Sequence, residues 1–538
     1  MVEFDPMYYP YASRRNAVYG NNGMVATSQP LAAEAGLEVL KKGGNAIDAA
    51  IATAAALTVV EPTSNGIGSD SFALVWVDGK IHGLNASGYA PSGISIEKLK
   101  ELGYDEIPTF GKVPVTVPGT PKGWAELSER FGKLPFEELF VPAIRYAEEG
   151  YPLSPTLGFH WKSAYKKFKE IFKDDAIYDE WFNVFAPNGR APETGELWKS
   201  PGHARTLREI AKTKAESFYS GELADEIDAY FTKHEGFLTK EDLSSYEAKW
   251  VDPIKVNYRG YDVWEIPPNG QGIIALMALN ILKGYEFNEK DSVDTYHKQI
   301  EAMKLSFTDG LEYITQQEHM DVSVEELLSD QYADARRKLI GDEALEPTPG
   351  EPQRGGTVYL SAADGEGNMI SYIQSNYMGF GSGVVVPGTG IAMQNRGHTF
   401  SLDSEHVNSL EPGKQTYHTI IPGFLSKGSE AVGPFGVMGG FMQPQGHAQV
   451  VMNMVDFDLN PQAALDAPRW QWMKDKVVKV DPLFPEHLAQ ALQRRGHKVE
   501  RSLYHHEFGR GQIIVRDPET GVLCGGTEPR TDGHVAVW

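Results

Sequence analysis

The chain has 538 residues, with 50 Lys and Arg against 73 Asp and Glu, a formal net charge of −23. So acidic a surface argues against nucleic-acid binding and against docking on anionic membranes, both of which need clustered cations. Hydrophobic residues make up 41% and charged residues 23%, an ordinary globular balance that leaves room for a large core. Cys524 is the single cysteine, so an intrachain disulfide and a Cys-rich metal site are excluded. The longest apolar run, Ala49 to Val60, spans 12 residues, and a membrane span needs about 20. Met1 to Tyr19 carries Arg14-Arg15 with no apolar stretch after it, so no signal peptide is expected and the expected setting is the cytoplasm.

In chain order, Leu31 to Lys42 has helical apolar spacing and stops at Gly43-Gly44, a helix C-terminus signal. Asn45 and Asp48 open a second helix through Ala56, apolar nearly all round and therefore buried. Ser71 to Val77 reads as a strand, Asp78-Gly79 as a tight turn and Lys80 to Leu84 as the return. Pro121 to Phe231 is mostly amphipathic helix, broken at Pro152–Pro155 and Ala186–Thr194. Val251 to Ile266 alternates as strand does, Gly272 to Leu282 reads as helix, and Asp291 to Tyr313 as a long helix. Asp342 to Gly356 has three prolines, three glycines and few apolar residues, the composition of a mobile linker. Beyond it come strands at Thr357–Ala363 and Met369–Ser375 around the loop Asp364–Asn368. Further strands are expected near Gly390–Met393, Phe435–Met438 and Gln512–Arg516, and helices over Gln443–Phe457 and Glu486–Arg495.

The linker runs through Gly355-Gly356 into Thr357 at the start of a strand, an arrangement suited to self-cleavage. Thr357 Oγ would attack the carbonyl of Gly356, and hydrolysis of the ester would free an N-terminal Thr357. That residue carries a hydroxyl nucleophile and an α-amine of pKa about 8, a general base near neutrality. Taken alone, Gly-Gly-Thr also reads as a plain turn entering a strand. In the hairpin, Ala363 faces Met369, so Thr357 faces Ser375, with Cβ atoms about 5 Å apart. Gly439-Gly440 follows a strand and precedes a helix, and backbone N–H groups at such a junction can hold an oxyanion. A plain glycine turn is the other reading. H-E-x-x-H, C-x-x-C and G-x-S-x-G do not occur. His505-His506-Glu507 reads as a surface segment rather than a metal site.

Taken together, the residues resemble the γ-glutamyltransferase family of N-terminal nucleophile hydrolases. The likeness runs from about Gly23 to about Gly533. It rests on Val25-Ala-Thr-Ser-Gln-Pro30, Gly43-Gly-Asn-Ala-Ile-Asp-Ala-Ala50, Val60-Glu-Pro62, Val117-Pro-Gly119, Gly356-Thr357, Phe380-Gly-Ser-Gly383, Gly439-Gly440, Ala467-Pro-Arg469 and Glu528-Pro-Arg530 with Asp532-Gly533. The resemblance implies an α+β fold, the four-layer αββα sandwich with two stacked antiparallel sheets flanked by helices. It implies cleavage between Gly356 and Thr357 into a large subunit, 1–356, and a small subunit, 357–538, that together make one fold. Thr357 would be the nucleophile, Ser375 its supporting hydroxyl, and Gly439 and Gly440 the oxyanion hole. The implied partners are a small-molecule amide and an acceptor (water, an amine or a peptide), with no cofactor, metal, nucleic acid or membrane. The resemblance allows a homodimer of the two-chain units.

The departures concern the substrate. Family members carry an Arg for the substrate α-carboxylate where this chain has Ser87. The usual Asn after the supporting hydroxyl is Tyr377, with Asn376 adjacent. The usual Gln and Asp of the α-amine pocket are Arg396 and Thr399, and the usual Ser-Ser pair is His418-Thr419. Ser401 to Thr416 is short for a lid. Tyr377, Arg396, His418 and Thr419 are thus the expected substrate-binding residues. The pattern is similar to lidless members and to cephalosporin acylases, which take glutaryl-like acyl groups. Arg396 has two readings, a cation for a substrate carboxylate or a structural Arg bonding loop carbonyls. The expected function is an amide hydrolase or acyltransferase of γ-glutamyl or glutaryl-like acyl groups. The alternatives are an oxamate-type amidase, a peptidase of γ-linked polymers, or an uncleaved, weakly active binding homologue.

Overall fold

The computed structural model describes residues 15–173, 175–347 and 356–538. Its centre is a pair of seven-stranded sheets, antiparallel throughout. The first runs, in spatial order, Val18–Gly20, Leu523–Thr527, Arg510–Arg516, Glu430–Met438, Gly423–Lys427, Tyr261–Glu265 and Ile254–Tyr258. The second runs His534–Val537, Gly23–Thr27, Gly356–Asp364, Met369–Tyr377, Asp70–Val77, Lys80–Ala86 and Lys249–Val251. Each sheet therefore mixes strands from before and after the Gly356-Thr357 junction.

Three apolar layers separate four layers of structure. Phe72, Leu74, Met369, Ile373, Tyr359, Phe424 and Ile514 fill the space between the sheets. Ala73, Val75, Ile370 and Tyr372 point from the second sheet to its helices, and Phe435, Val437 and Ile513 point from the first sheet to the helices on the far side. The Asp70–Val77 strand is buried on both faces, which makes its sequence a near-continuous apolar run. This is the αββα sandwich of the N-terminal nucleophile hydrolases.

Helix Ala46–Val60 lies on the second sheet with all fifteen residues buried. Asn45 starts it: its side chain accepts from the N–H groups of Ile47 and Asp48, and Asp48 accepts from the Asn45 N–H. Helix Gly272–Leu282 is likewise buried all round.

Several elements differ from expectation. Gly390–Met393 forms no strand; isolated bridges Val385↔Ala392 and Gly68↔Met393 hold it instead. Gly381, Gly383, Gly388 and Gly390 all have positive φ there, which breaks any extended run. Strands Gly23–Thr27, Gly423–Lys427, Leu523–Thr527 and His534–Val537 were not anticipated. The linker is not free from its start: Ala344 N–H donates to Arg495 C=O at 2.7 Å and Leu345 N–H to Glu301 Oε2 at 2.9 Å. Its residues 348–355 lie outside the described residues.

Candidate active site

The Gly356–Asp364 and Met369–Tyr377 strands pair in the expected register from Ala363↔Met369 to Val358↔Gln374, then shift so that Gly356 faces Tyr377. Ser375 and Asn376 together therefore oppose Thr357, a bulge, the usual device for re-aiming a side chain at a sheet margin. Thr357 Oγ1 lies 3.0 Å from Ser375 Oγ, and both residues are buried. The Tyr377 N–H donates to Ser375 Oγ at 2.8 Å, which fixes that hydroxyl. Tyr377 itself has φ of 72°, a conformation a non-glycine residue holds only when its surroundings impose it.

The Glu430–Met438 strand crosses this hairpin from the other sheet. Ser371 Oγ lies 3.5 Å from Phe435 C=O, and Gly436 sits under the Tyr359 ring, where a Cβ would collide with it. Successive residues of the strand thus advance toward Thr357 and end in Gly439 and Gly440, with φ of 146° and 58°. Helix Met442–Val455 follows. The carbonyls of the two glycines are taken, by the N–H groups of Met442 at 3.0 Å and Gln443 at 3.2 Å and by Gln271 Nε2 at 2.9 Å. Among the described residues their N–H groups have no acceptor, which leaves two donors at a helix N-terminus.

Arg396 stands in a short helical turn, Arg396–Thr399, and is 1% exposed. Its Nη1 donates to Thr419 Oγ1 at 2.8 Å, and its guanidinium lies 4.3 Å from the Tyr377 ring centroid. Its Nε and Nη2 are buried without an acceptor among the described residues. Burial lowers the Arg396 pKa to about 10, which Asp70 and Tyr377 oppose; the side chain stays charged at neutral pH. The backbone of Thr419 is tied to the glycine turn, because Gln271 Nε2 donates to Thr419 C=O at 2.6 Å as well as to Gly440.

His418 points elsewhere. Its Nε2 lies 3.0 Å from Asp70 Oδ2, and its Nδ1 accepts from Ile420 N–H at 3.3 Å; the ring is fully buried and burial keeps it neutral. Asp70 is directly across the sheet from Ser375. Ser87 is also sealed: its hydroxyl donates to Asn85 Oδ1 at 2.7 Å and accepts from Gln415 Nε2 at 3.0 Å and Asn269 Nδ2 at 3.2 Å. Thr399 Oγ1 donates to Arg396 C=O at 2.8 Å.

Ser401 to Thr416 folds back on itself, with Leu410 N–H donating to Ser401 C=O and Ser401 N–H to Asn408 C=O. Phe400, Leu402 and Leu410 pack against Ile94, Leu99 and Val113. An open cleft of about 720 Å³ lies between this segment and the end of helix Val293–Tyr313, and Tyr377, Tyr417 and Phe441 face it.

Two residues of the site were not singled out in the sequence, Asp70 and Gln271. Asp70 is an acid at the head of an apolar strand, and Gln271 follows Asn269-Gly270 ahead of an apolar helix; each is a polar group where the pattern calls for none. Among the described residues one set has metal-ligand spacing: His297, Glu301 and His497. Lys304 lies 2.7 Å from Glu301 and donates to Leu345 C=O at 3.0 Å, so the set ties down the start of the linker. His505–Phe508 forms a short helical turn.

The αββα sandwich carries a Thr–Ser hydroxyl pair at the head of an inner strand and, at the end of a strand of the facing sheet, a glycine turn with two backbone donors. The family described as Gamma-glutamyltranspeptidase matches residues 32–538, and the chain belongs to that family. It is similar, at 67% identity and a TM-score of 0.97, to a crystal structure of cephalosporin acylase from Bacillus halodurans, over 100% of this chain and 99% of that one. It is 35% identical over 526 residues to the Glutathione hydrolase-like YwrD proenzyme of Bacillus subtilis, covering 96% of this chain and 98% of that protein. It is 33% identical over 528 residues to the Oxamate amidohydrolase proenzyme of Klebsiella pneumoniae, with the same coverage. Among the described residues, no helix is long and apolar enough to cross a membrane.

Proposed function

We propose that the chain cuts itself between Gly356 and Thr357 and then works as a two-chain enzyme, 1–356 with 357–538. It would transfer acyl groups from small amides through an ester on Thr357, to water or to an amine. The acyl group of choice would carry a terminal carboxylate, as a glutaryl group does. The single observation behind this reading is Arg396, a buried cation whose Nε and Nη2 have no acceptor among the described residues, stacked on the residue that faces Gly356. A buried guanidinium in that condition is costly unless a ligand completes it, and its fork fits a carboxylate.

The Thr357 amine, freed by cleavage, takes the proton from Thr357 Oγ with Ser375 holding the hydroxyl in line. Oγ adds to the amide carbon, and the N–H groups of Gly439 and Gly440 meet the oxyanion. Collapse breaks the C–N bond, the protonated Thr357 amine passes its proton to the leaving amine, and water activated by the regenerated Thr357 amine then opens the ester. His418 and Thr419 act from behind, His418 by orienting Asp70 and Thr419 by orienting Arg396, while Tyr377 forms the wall between nucleophile and cation. A γ-glutamyl group is a glutaryl group with an added α-ammonium, and with Arg396 and Thr399 standing where family members carry the Gln and Asp of the α-amine pocket, that second cation would meet a guanidinium rather than a carboxylate, so γ-glutamyl amides are expected to be the poorer substrates.

A shorter carboxylated acyl group, as in oxamate, is the second reading; the Klebsiella pneumoniae relative favours it, and the same Arg396 would serve it. The deciding experiment is kcat/KM for glutaryl, γ-glutamyl and oxalyl amides of one chromogenic amine. Preference for the glutaryl amide, lost in Arg396→Ala, supports the proposal. A γ-glutamyl preference that survives Arg396→Ala overturns it. The single cysteine favours a reducing, cytoplasmic setting, and a homodimer of two-chain units remains part of the proposal, checked by solution mass.

A further inference from the structure

Asp70 heads the strand Asp70–Val77, beside Ser375 and fully buried. Two neighbours donate to its carboxylate, and a third acts on it by charge alone. His418 donates from Nε2 at 3.0 Å, the Gly88 N–H donates at 3.1 Å, and Arg396 is near enough that each group changes the other's proton affinity. The other titratable groups facing it are the phenols of Tyr219 and Tyr246, both held neutral by burial. His418 is neutral too. Among the described residues Arg396 is the cation that acts on Asp70, and Asp70 is the carboxylate that acts on Arg396.

An acyl carboxylate arriving on the free donors of Arg396 brings a second negative charge into the same buried space. Two anions against one cation is the costly arrangement, because desolvated like charges raise each other's proton affinity. A proton on Asp70 restores neutrality. Resting on the acyl-pocket reading above, we propose that Asp70 sets substrate preference by exchanging charge with the substrate: it takes up one proton from solvent as a carboxylated acyl group docks on Arg396. The pocket then holds one cation and one anion whether empty or filled. Burial supports this, raising the Asp70 pKa to about 7 against the opposing pull of Arg396, so the exchange falls in the neutral range. Asp70 touches no reacting atom and acts as a positioning residue.

The test is equilibrium binding of 5-oxohexanoate, a methyl ketone with one carboxylate at glutaryl spacing and no bond to cleave. Calorimetry at pH 8 in two buffers of different ionisation enthalpy should show close to one proton taken up per ligand bound. The Kd should weaken about tenfold per pH unit above the titration of empty Asp70. Asp70→Asn should bind with no proton uptake and a flat pH dependence. Binding with no proton uptake by the wild type overturns this inference and leaves the acyl-pocket reading standing. Absence of binding by the wild type overturns both. The wild-type measurement decides the matter even if the variant does not fold.

Discussion

Arg396 and Asp70 show how function and stability pull apart at single residues. Replacing Arg396 by Met removes a buried charge whose Nε and Nη2 have no acceptor among the described residues. The melting temperature should hold or rise, while kcat/KM for a carboxylated acyl amide falls about 100-fold or more, as expected for charge-assisted hydrogen bonds worth roughly 1.5–3 kcal/mol each. Ser375→Ala should lower kcat about 100-fold with little change in KM, because Ser375 positions the attacking oxygen without holding the acyl chain. Asp70 carries a pH signature of its own. Its folded pKa, about 7, lies above the ordinary 3.8, so its stabilising share is full below pH 3.8 and is lost as pH rises through about 7. Melting curves of wild type and Asp70→Asn between pH 4 and 8 should therefore converge or cross on the alkaline side; parallel curves would show that Asp70 does not titrate in that window.

At the scale of elements, the site depends on how closely two sheets pass each other. Gly436 lies under the Tyr359 ring, and Ala there must push the ring or the strand aside. A loss of about 1–3 kcal/mol is expected, together with slower cleavage, because the displaced strand ends in Gly439. Denaturant unfolding and a time course of chain cutting measure the two effects. Asn45→Ala, which removes the cap of helix Ala46–Val60, should cost about 1 kcal/mol and leave cutting unaffected. The same elements show what the sequence can and cannot express. Helices 46–60 and 272–282 were legible because they are apolar on every face, and the Thr357 hairpin because its loop length sets the register. The bulge opposite Thr357 was not legible, since it depends on Tyr377 taking a left-handed backbone. Nor was the carboxylate whose charge acts on Arg396: Asp70 lies more than three hundred residues earlier in the chain, and its pairing with Ser375 brings it to this part of the sheet. Gly423–Lys427 and Leu523–Thr527 escaped notice because their neighbours, rather than their own composition, make them strands.

In the whole molecule, the proposed cut does not divide the structure. Gly23–Thr27, from the large chain, lies between Gly356–Asp364 and His534–Val537, both from the small chain. The first sheet is edged on both sides by large-chain strands, Val18–Gly20 and Ile254–Tyr258. Purified protein should show chains of 356 and 182 residues on a denaturing gel, yet elute as one species under native conditions. Thr357→Ala should remain a single 538-residue chain. Separation of the two chains without denaturant would contradict the interleaving.

That interleaving also gives the cut a place in time. The contact between Thr357 and Ser375 exists only once the central strands have paired, and on the proposed mechanism the Gly439 turn can serve it only once the two sheets have closed on each other. On the proposed route no molecule can be cut before it has finished folding, so a severed backbone is a record of successful maturation. In a growing culture the ratio of uncut to cut chain would then report folding yield, molecule by molecule. A packing variant such as Gly436→Ala should shift that ratio while the cut fraction keeps its specific activity.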